Sequence, residues 1–258
     1  MDAETKANLE NLAVATISMQ LLKRGIRNVA MNGVRPLNNP TKPIVGEAYT
    51  LRYIPLREDL SGPDVLGKPD FAPRRAIEEV PPGAVLVVDG RGRADVAVLG
   101  DILIERLKVR GVTALVSDGG IRDAEECLEA GFPIFAAGPA SPASVTFHSA
   151  GDLQCPIGCG GVAVIPGDII AADGDGVIVI PKALAAEIGR DGLDHYMIQV
   201  FVQGGVEMKS ASREVELGSG TLLGFDLCER LDSFNADFDL LYAMIPRRLL
   251  APRLSHPD

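Results

Sequence analysis

Two carboxylates and one guanidinium stand out in the stretch Gly100-Asp101-Ile102-Leu103, followed by a run to Arg110-Gly111 and then Val116-Ser117-Asp118-Gly119-Gly120-Ile121-Arg122-Asp123. Asp101 and Asp123 follow apolar segments and turn glycines, where an α/β chain starts its helices. Each could cap a helix or hold a hard cation through oxygen. Arg122 stands beside the positive end of the second helix, and its planar fork suits a carboxylate, an enolate oxygen or an ordinary salt bridge. The amides of Ile102 and Leu103, in the first turn after Gly100-Asp101, have no partner inside their helix and can receive an anion. For either aspartate alone, capping is the commoner role. Pairing both with Arg122 points instead to a small site that holds a metal and a carboxylate substrate together.

The elements that must position these residues follow from pattern. Asp101 to Val109 suits a helix, Thr113 to Ser117 a strand, Asp123 to Ala130 a helix and Pro133 to Ala136 a strand, a β-α-β-α-β rhythm. Two such helix starts off neighbouring strands could share one pocket. Upstream, Gly46 to Ile54 alternates and is rich in strand formers, and Ala84 to Asp89 is a short apolar run of the kind buried in an α/β sheet. Residues 5 to 23 place Leu9, Leu12, Ile17 and Leu21 near helical spacing, an amphipathic opening helix that Gly25 closes. Arg57 to Pro82 carries Pro63, Pro69, Pro73, Pro81 and Pro82 with little apolar period. It reads as a surface excursion that covers a site, meets another subunit or is simply solvated. Downstream, Val162 to Ile165, Ile169 to Ala172 and Val177 to Ile180 are short strands joined by tight turns. Asp173 and Asp175 in the last turn suit turn chemistry better than a metal. Lys182 to Ile188 begins a helix, and after Gly204 no period is sustained. The expected division is a domain over 1–203 and an extension over 204–258.

Composition narrows the class. In 258 residues, 47% are hydrophobic, enough for a substantial core. Lys and Arg total 25 against 35 Asp and Glu, a net charge of −10. That balance repels a nucleic-acid backbone, and Lys23-Arg24, Arg74-Arg75 and Arg247-Arg248 form no basic patch, so no nucleic-acid partner is expected. The opening Met-Asp-Ala-Glu-Thr-Lys lacks the order of a signal peptide, and no apolar run approaches the ~18 residues a membrane span needs. A cytoplasmic protein with no membrane partner is expected. Cys127, Cys155, Cys159 and Cys228 are too scattered for a disulfide framework, and Cys155 with Cys159 lacks a second pair at zinc-site spacing. Gly90-Arg91-Gly92 follows a strand but lacks the third glycine of a dinucleotide fingerprint, so it reads as a turn.

The combination Gly-Asp-x-Leu, Arg-Gly and Asp-Gly-x-x-Arg-Asp, with Pro133 to Ala137 and the strand pair from Pro166-Gly167-Asp168 to Pro181, resembles one known family over about residues 8 to 190. These are the class II 4-hydroxy-4-methyl-2-oxoglutarate aldolases, which share their fold with the regulator of ribonuclease activity A. The resemblance implies an RraA-like α/β domain with a central sheet layered β/β/α, assembled as a homotrimer or homohexamer with sites between subunits. It implies that Asp123 helps hold a divalent metal, Mg2+ or Mn2+, and that Arg122 contacts the pyruvyl oxygens of a small 2-oxo acid. It further implies that Asp101 orients a water for proton transfer, while the amides after Gly100, those of Ile102 and Leu103, bind the pyruvyl carboxylate. The regulator lacks the aspartate after its arginine, and this chain retains it.

Two departures bear on substrate. Thr16 to Gly25 replaces the family's Ser-Asp-Ala-Leu type of sequence, and the Arg57 to Pro82 excursion is longer than the family's. The family's glutamate from a neighbouring subunit has no counterpart by motif in 204–258. The expected activity is metal-dependent retro-aldol cleavage of a 4-hydroxy-2-oxo acid to pyruvate, with oxaloacetate decarboxylation as a companion. The alternatives are a regulator that binds a ribonuclease or other protein, and a related enzyme acting on a sugar-derived acid.

Overall fold

The computed structural model describes residues 1–38, 40, 42–59, 61–191, 195–203, 206–210, 213–226, 231–235, 239–246, 250 and 253. The chain divides into two units, Met1–Gly192 and Leu193–Asp258. The first contains the helices α1 (Ala3–Glu10), α2 (Val14–Lys23), α3 (Ala72–Glu79), α4 (Asp101–Val109), α5 (Ala124–Glu129) and α6 (Ala185–Asp191). Its first seven strands are β1 (Arg35–Pro36), β2 (Ile44–Pro55), β3 (Val85–Asp89), β4 (Ala97–Leu99), β5 (Ala114–Ser117), β6 (Gly120–Ile121) and β7 (Ile134–Ala136). The remaining six are β8 (Gly138–Pro139), β9 (His148–Leu153), β10 (Ile157–Cys159), β11 (Val162–Val164), β12 (Ile169–Asp173) and β13 (Gly176–Ile180).

The central sheet runs β1-β7-β5-β3-β2-β12-β13, with β9 added on β2. The pairs β2–β3, β3–β5 and β5–β7 are parallel. Parallel strands are covered on both faces, which explains the unbroken apolar run of β3. Its side chains divide by the period of two. Leu86 and Val88 join Ala76, Ile77, Ile104, Leu107 and Cys127 of α3, α4 and α5 in one core. Val85 and Val87 join Ile157, Cys159, Val162 and Val164 of the β10–β11 hairpin in another. A helical layer, the sheet and a hairpin layer therefore succeed one another, the β/β/α order expected. Residues Leu9, Ile17 and Leu21 of α1 and α2 pack on Ile169, Ala171, Ile178 and Ile180 in a third cluster. Arg35 of β1 donates to the Asp175 carbonyl at 3.2 Å, bringing the two ends of the strand order together in a nearly closed sheet.

Three expectations are corrected. The opening segment forms two helices instead of one. Asp2 caps α1 through the Thr5 amide at 2.8 Å, and the Val14 amide that opens α2 donates to Asp173 Oδ2 at 2.9 Å. That second cap comes from a turn far along the chain, beyond the reach of local periodicity. Within Arg57 to Pro82, Pro63–Gly67 forms a 3-10 turn and Ala72–Glu79 forms α3. Pro73 is tolerated in the first helical turn, where its missing amide has no partner to lose. Ala76 and Ile77 are buried, and Arg75 pairs with Glu79 at 2.8 Å. Finally, the division between units falls at Gly192/Leu193, ahead of Gly204, because β14 (His195–Gln203) pairs within the second unit.

The second unit also holds β15 (Val206–Ser210), β16 (Arg213–Leu217), β17 (Leu222–Asp226), β18 (Leu231–Asn235) and β19 (Asp239–Pro246). They form two antiparallel three-stranded sheets, β17-β14-β19 and β16-β15-β18. No helix among the described residues is long and apolar enough to cross a membrane.

Candidate active site

A second, small sheet positions the site. Strands β4, β6 and β8 are parallel neighbours that follow the main strands, and Leu99 is in register with Ile121. The Arg122 amide donates to the Leu99 carbonyl at 3.1 Å. Gly100-Asp101 and Arg122-Asp123, each one step beyond these paired residues, consequently emerge side by side. The handover from the main sheet needs close backbone contact: a Cβ on Gly90 would lie 2.7 Å from Gly119 Cα. Asp118 braces that handover, its two oxygens accepting the amides of Gly90 at 2.7 Å and Gly160 at 3.1 Å.

Asp123 occupies the position before α5, yet its side chain makes no capping bond. Its backbone is left-handed, φ 53° and ψ 47°, a conformation that Asp tolerates better than most residues. The carboxylate instead accepts from Arg122 Nε at 3.0 Å. Capping, one of the two roles open to this aspartate, is thus excluded by geometry. Asp101 lies inside α4, one residue past the cap position held by Gly100. At Gly100 an added Cβ would stand 2.6 Å from Asp123 Oδ2 and 2.9 Å from Arg122 Cγ. Asp123 and the stem of Arg122 can pack this closely on the entry to α4 only because residue 100 is glycine.

These residues line one cleft of about 240 Å³, which holds Gly100, Asp101, Ile102, Leu103, Arg122 and Asp123, the full set singled out in the sequence. It also holds Tyr53, Leu66, Phe71, Pro73, Val98 and Ser144, which sequence reasoning missed. The available signal was the proline-rich excursion, whose possible covering role is met by Leu66, Phe71 and Pro73. Beneath the cleft, the buried Cys127 thiol is pushed up to about 11, by burial first and then by the charges of Asp101 and Asp123. One thiol thus feels both carboxylates.

Tyr53, in the cleft wall, packs on a buried histidine. Burial pushes the Tyr53 phenol up to about 12, and its hydroxyl lies 3.4 Å from both the Val98 carbonyl and Ser144 Oγ. The His148 ring packs on Tyr53 at 5.3 Å, is 1% exposed, and neither nitrogen has a hydrogen-bond partner among the described residues. Burial, then Arg91 and Arg93, lower its pKa to about 4, so the imidazole is neutral. Because the unfolded chain binds this proton near pH 6.5 and the folded chain near 4, His148 favours folding above pH 6.5 and loses that contribution as pH falls toward 4. Stability should therefore fall as pH drops through that window. Denaturant titrations of wild type and His148→Phe from pH 4 to 7 check it; the variant's profile should be flatter.

Other candidates resolve as structure. Asp173 accepts the Asp175 amide at 2.9 Å as well as that of Val14, which is the turn chemistry expected. Cys159 is buried and its thiol is raised well above the ordinary range by burial. Cys228 lies outside the described residues. No group of three or more His, Cys, Asp or Glu that could hold a metal occurs among the described residues. Asp101 and Asp123 are the carboxylates lining the cleft, oxygen donors of the type that a hard divalent cation takes together with water.

The chain is similar to known proteins over most of its first unit. The family model described as RraA-like, Aldolase/RraA, matches residues 14–179. A protein of Halalkalibacterium halodurans, provisionally named 4-hydroxy-4-methyl-2-oxoglutarate aldolase, is 35% identical over 158 residues, covering 61% of this chain and 68% of its own length. Protein DlpA of Legionella pneumophila is 31% identical over 192 residues, 73% of this chain, which spans only 30% of DlpA. The crystal structure of Streptomyces coelicolor RraAS2, described as an unusual member of the RNase ES inhibitor RraA protein family, superposes with a TM-score of 0.66 and 35% identity. That match covers 74% of this chain and 90% of RraAS2.

Proposed function

This chain belongs to the RraA-like family, and from that premise we propose that it is a divalent-metal-dependent lyase cleaving a 4-hydroxy-2-oxo acid into pyruvate and a second carbonyl compound. The observation that supports the reading is the carboxylate of Asp123, which makes no capping bond to α5, pairs with Arg122 Nε and lines one cleft with Gly100 and Asp101.

Asp123, with water and Asp101 nearby, would hold Mg2+ or Mn2+, which when bound supplies Lewis-acid polarisation of the 2-oxo group. The first-turn amides of α4, those of Ile102 and Leu103, receive the substrate's 1-carboxylate. Asp101 holds a water that accepts the 4-hydroxyl proton. The C3–C4 bond breaks, its electron pair passes to C3, and the new carbonyl leaves. Arg122 neutralises the charge developing on the pyruvyl oxygen. Protonation at C3 by water completes pyruvate. Oxaloacetate decarboxylation passes through the same pyruvate enolate and belongs to the same proposal, as does a homotrimer or homohexamer.

The experiment is pyruvate release from oxaloacetate and from 4-hydroxy-4-methyl-2-oxoglutarate, with Mg2+, Mn2+ or chelator, corrected for catalysis by the free ion. Saturable, metal-dependent release is the expected result; none above background in folded protein overturns the reading. The likeness to RraAS2 favours a second reading, a binder of a ribonuclease or another protein that needs no metal, and that negative result would select it.

A further inference from the structure

Building on the lyase reading, we infer that the hydroxyl of Tyr53, backed by Ser144, is a catalytic hydrogen-bond donor to the oxygen on C4, the atom that becomes the carbonyl oxygen of the fragment released beside pyruvate. Tyr53 is 2% exposed and Ser144 8%, so this chain alone fixes both, and a neighbouring subunit would add to the site without displacing them. Tyr53 nevertheless borders the cleft that holds Asp101, Arg122 and Asp123. The two partners of its hydroxyl, the Val98 carbonyl and Ser144 Oγ, belong to residues that border the same cleft, whereas His148, packed on the ring, does not. The hydroxyl end of the side chain is therefore the end at the cleft.

Both contacts of that hydroxyl are 3.4 Å long, at the weak end of hydrogen bonding. Turning its proton toward a bound oxygen costs little, and Ser144 can then donate to the phenol oxygen. The donor is carried by paired strands: Tyr53 is in register with Ala150 across β2 and β9, and Val98 lies in β4, two residues before Gly100. With its pKa at about 12, the phenol acts as a donor and not as a base. In cleavage the C4 hydroxyl gives its proton to the water held by Asp101, the C4–O bond becomes a carbonyl, and the C3–C4 electron pair passes to C3. Negative charge gathers on the C4 oxygen as its proton leaves, and a donor already aimed there stabilises that charge more than the starting hydroxyl. Tyr53 keeps its own proton throughout. Oxaloacetate makes the opposite demand: its C4 oxygens begin as a carboxylate and lose charge as CO2 forms, so the same donor favours the ground state.

The test compares Tyr53→Phe with wild type, both as the full chain with saturating Mg2+ or Mn2+. It measures kcat/KM for cleavage of 4-hydroxy-4-methyl-2-oxoglutarate and for decarboxylation of oxaloacetate. Phenylalanine keeps a ring against His148, and denaturant midpoints check the fold. The expected result is a fall of at least about tenfold in the ratio of cleavage to decarboxylation. Ser144→Ala should lower the same ratio by a smaller factor, and it decides the matter if Tyr53→Phe does not fold. Disturbed packing would depress both reactions alike, so an unchanged or raised ratio in the folded variant overturns the inference and leaves the lyase reading standing. A wild type that decarboxylates oxaloacetate without cleaving the 4-hydroxy acid overturns the inference as well. Pyruvate from neither acid in folded wild type overturns the lyase reading and this inference with it.

Discussion

On the proposed lyase reading, Arg122→Ala should lower kcat/KM for pyruvate-forming cleavage by about 10²- to 10³-fold, a loss of about 2.7–4 kcal/mol of transition-state stabilisation. The size follows from where the charge develops. As the C3–C4 bond breaks, negative charge gathers on the pyruvyl oxygen, and Arg122 is the only cationic side chain among the described residues of the cleft. Its side chain is 47% exposed and contributes little to the core, so the variant should unfold at the wild-type denaturant midpoint within about 0.5 kcal/mol. Arg122→Lys restores charge without the planar fork and should recover only part of the rate. Steady-state kinetics on the three proteins check this; a wild-type rate in Arg122→Ala removes Arg122 from the mechanism.

Asp123→Asn is the second large effect. Asparagine keeps the volume of aspartate and also tolerates the left-handed backbone at this position, so the substitution isolates charge from shape. Wild type should gain about 2.7 kcal/mol of stability at a metal concentration 100 times its Kd, and the variant should show no comparable gain. Turnover should fall by at least about 10²-fold, because Lewis-acid assistance is worth several kcal/mol. Thermal unfolding with and without Mn2+, beside the kinetic assay, separates loss of metal from loss of fold. Asp123→Val, by contrast, combines charge removal with a β-branched residue at φ 53° and would confound the two.

Much of the central architecture was legible because it is local. The bounds expected for α4 are those observed, and β5, β7, β12 and β13 fall within a residue or two of the apolar runs that announced them. The pairing of Asp101 with Arg122 was readable for the same reason, since both follow strands in one rhythm. What escaped was set by distant partners. The break between α1 and α2 depends on Asp173, and the cleft wall depends on Tyr53, Phe71 and Ser144, which only the closed sheet and the excursion bring to Arg122. Strands β4, β6 and β8, of two or three residues each, are too short to carry a period, yet they set the register on which the site depends. The strands of the second unit alternate weakly and pair across loops, so composition there announced no structure.

The functional pairs hang one residue beyond the small sheet, outside the three apolar clusters that hold the fold. On the proposed lyase reading, catalytic competence is therefore energetically separable from folding. A single-base change in the codon for Asp123, GAT to AAT or GAC to AAC, should then silence the chemistry and leave a surface of the same shape. On such a scaffold a lineage can pass between enzyme and pure binding protein without crossing an unfolded intermediate.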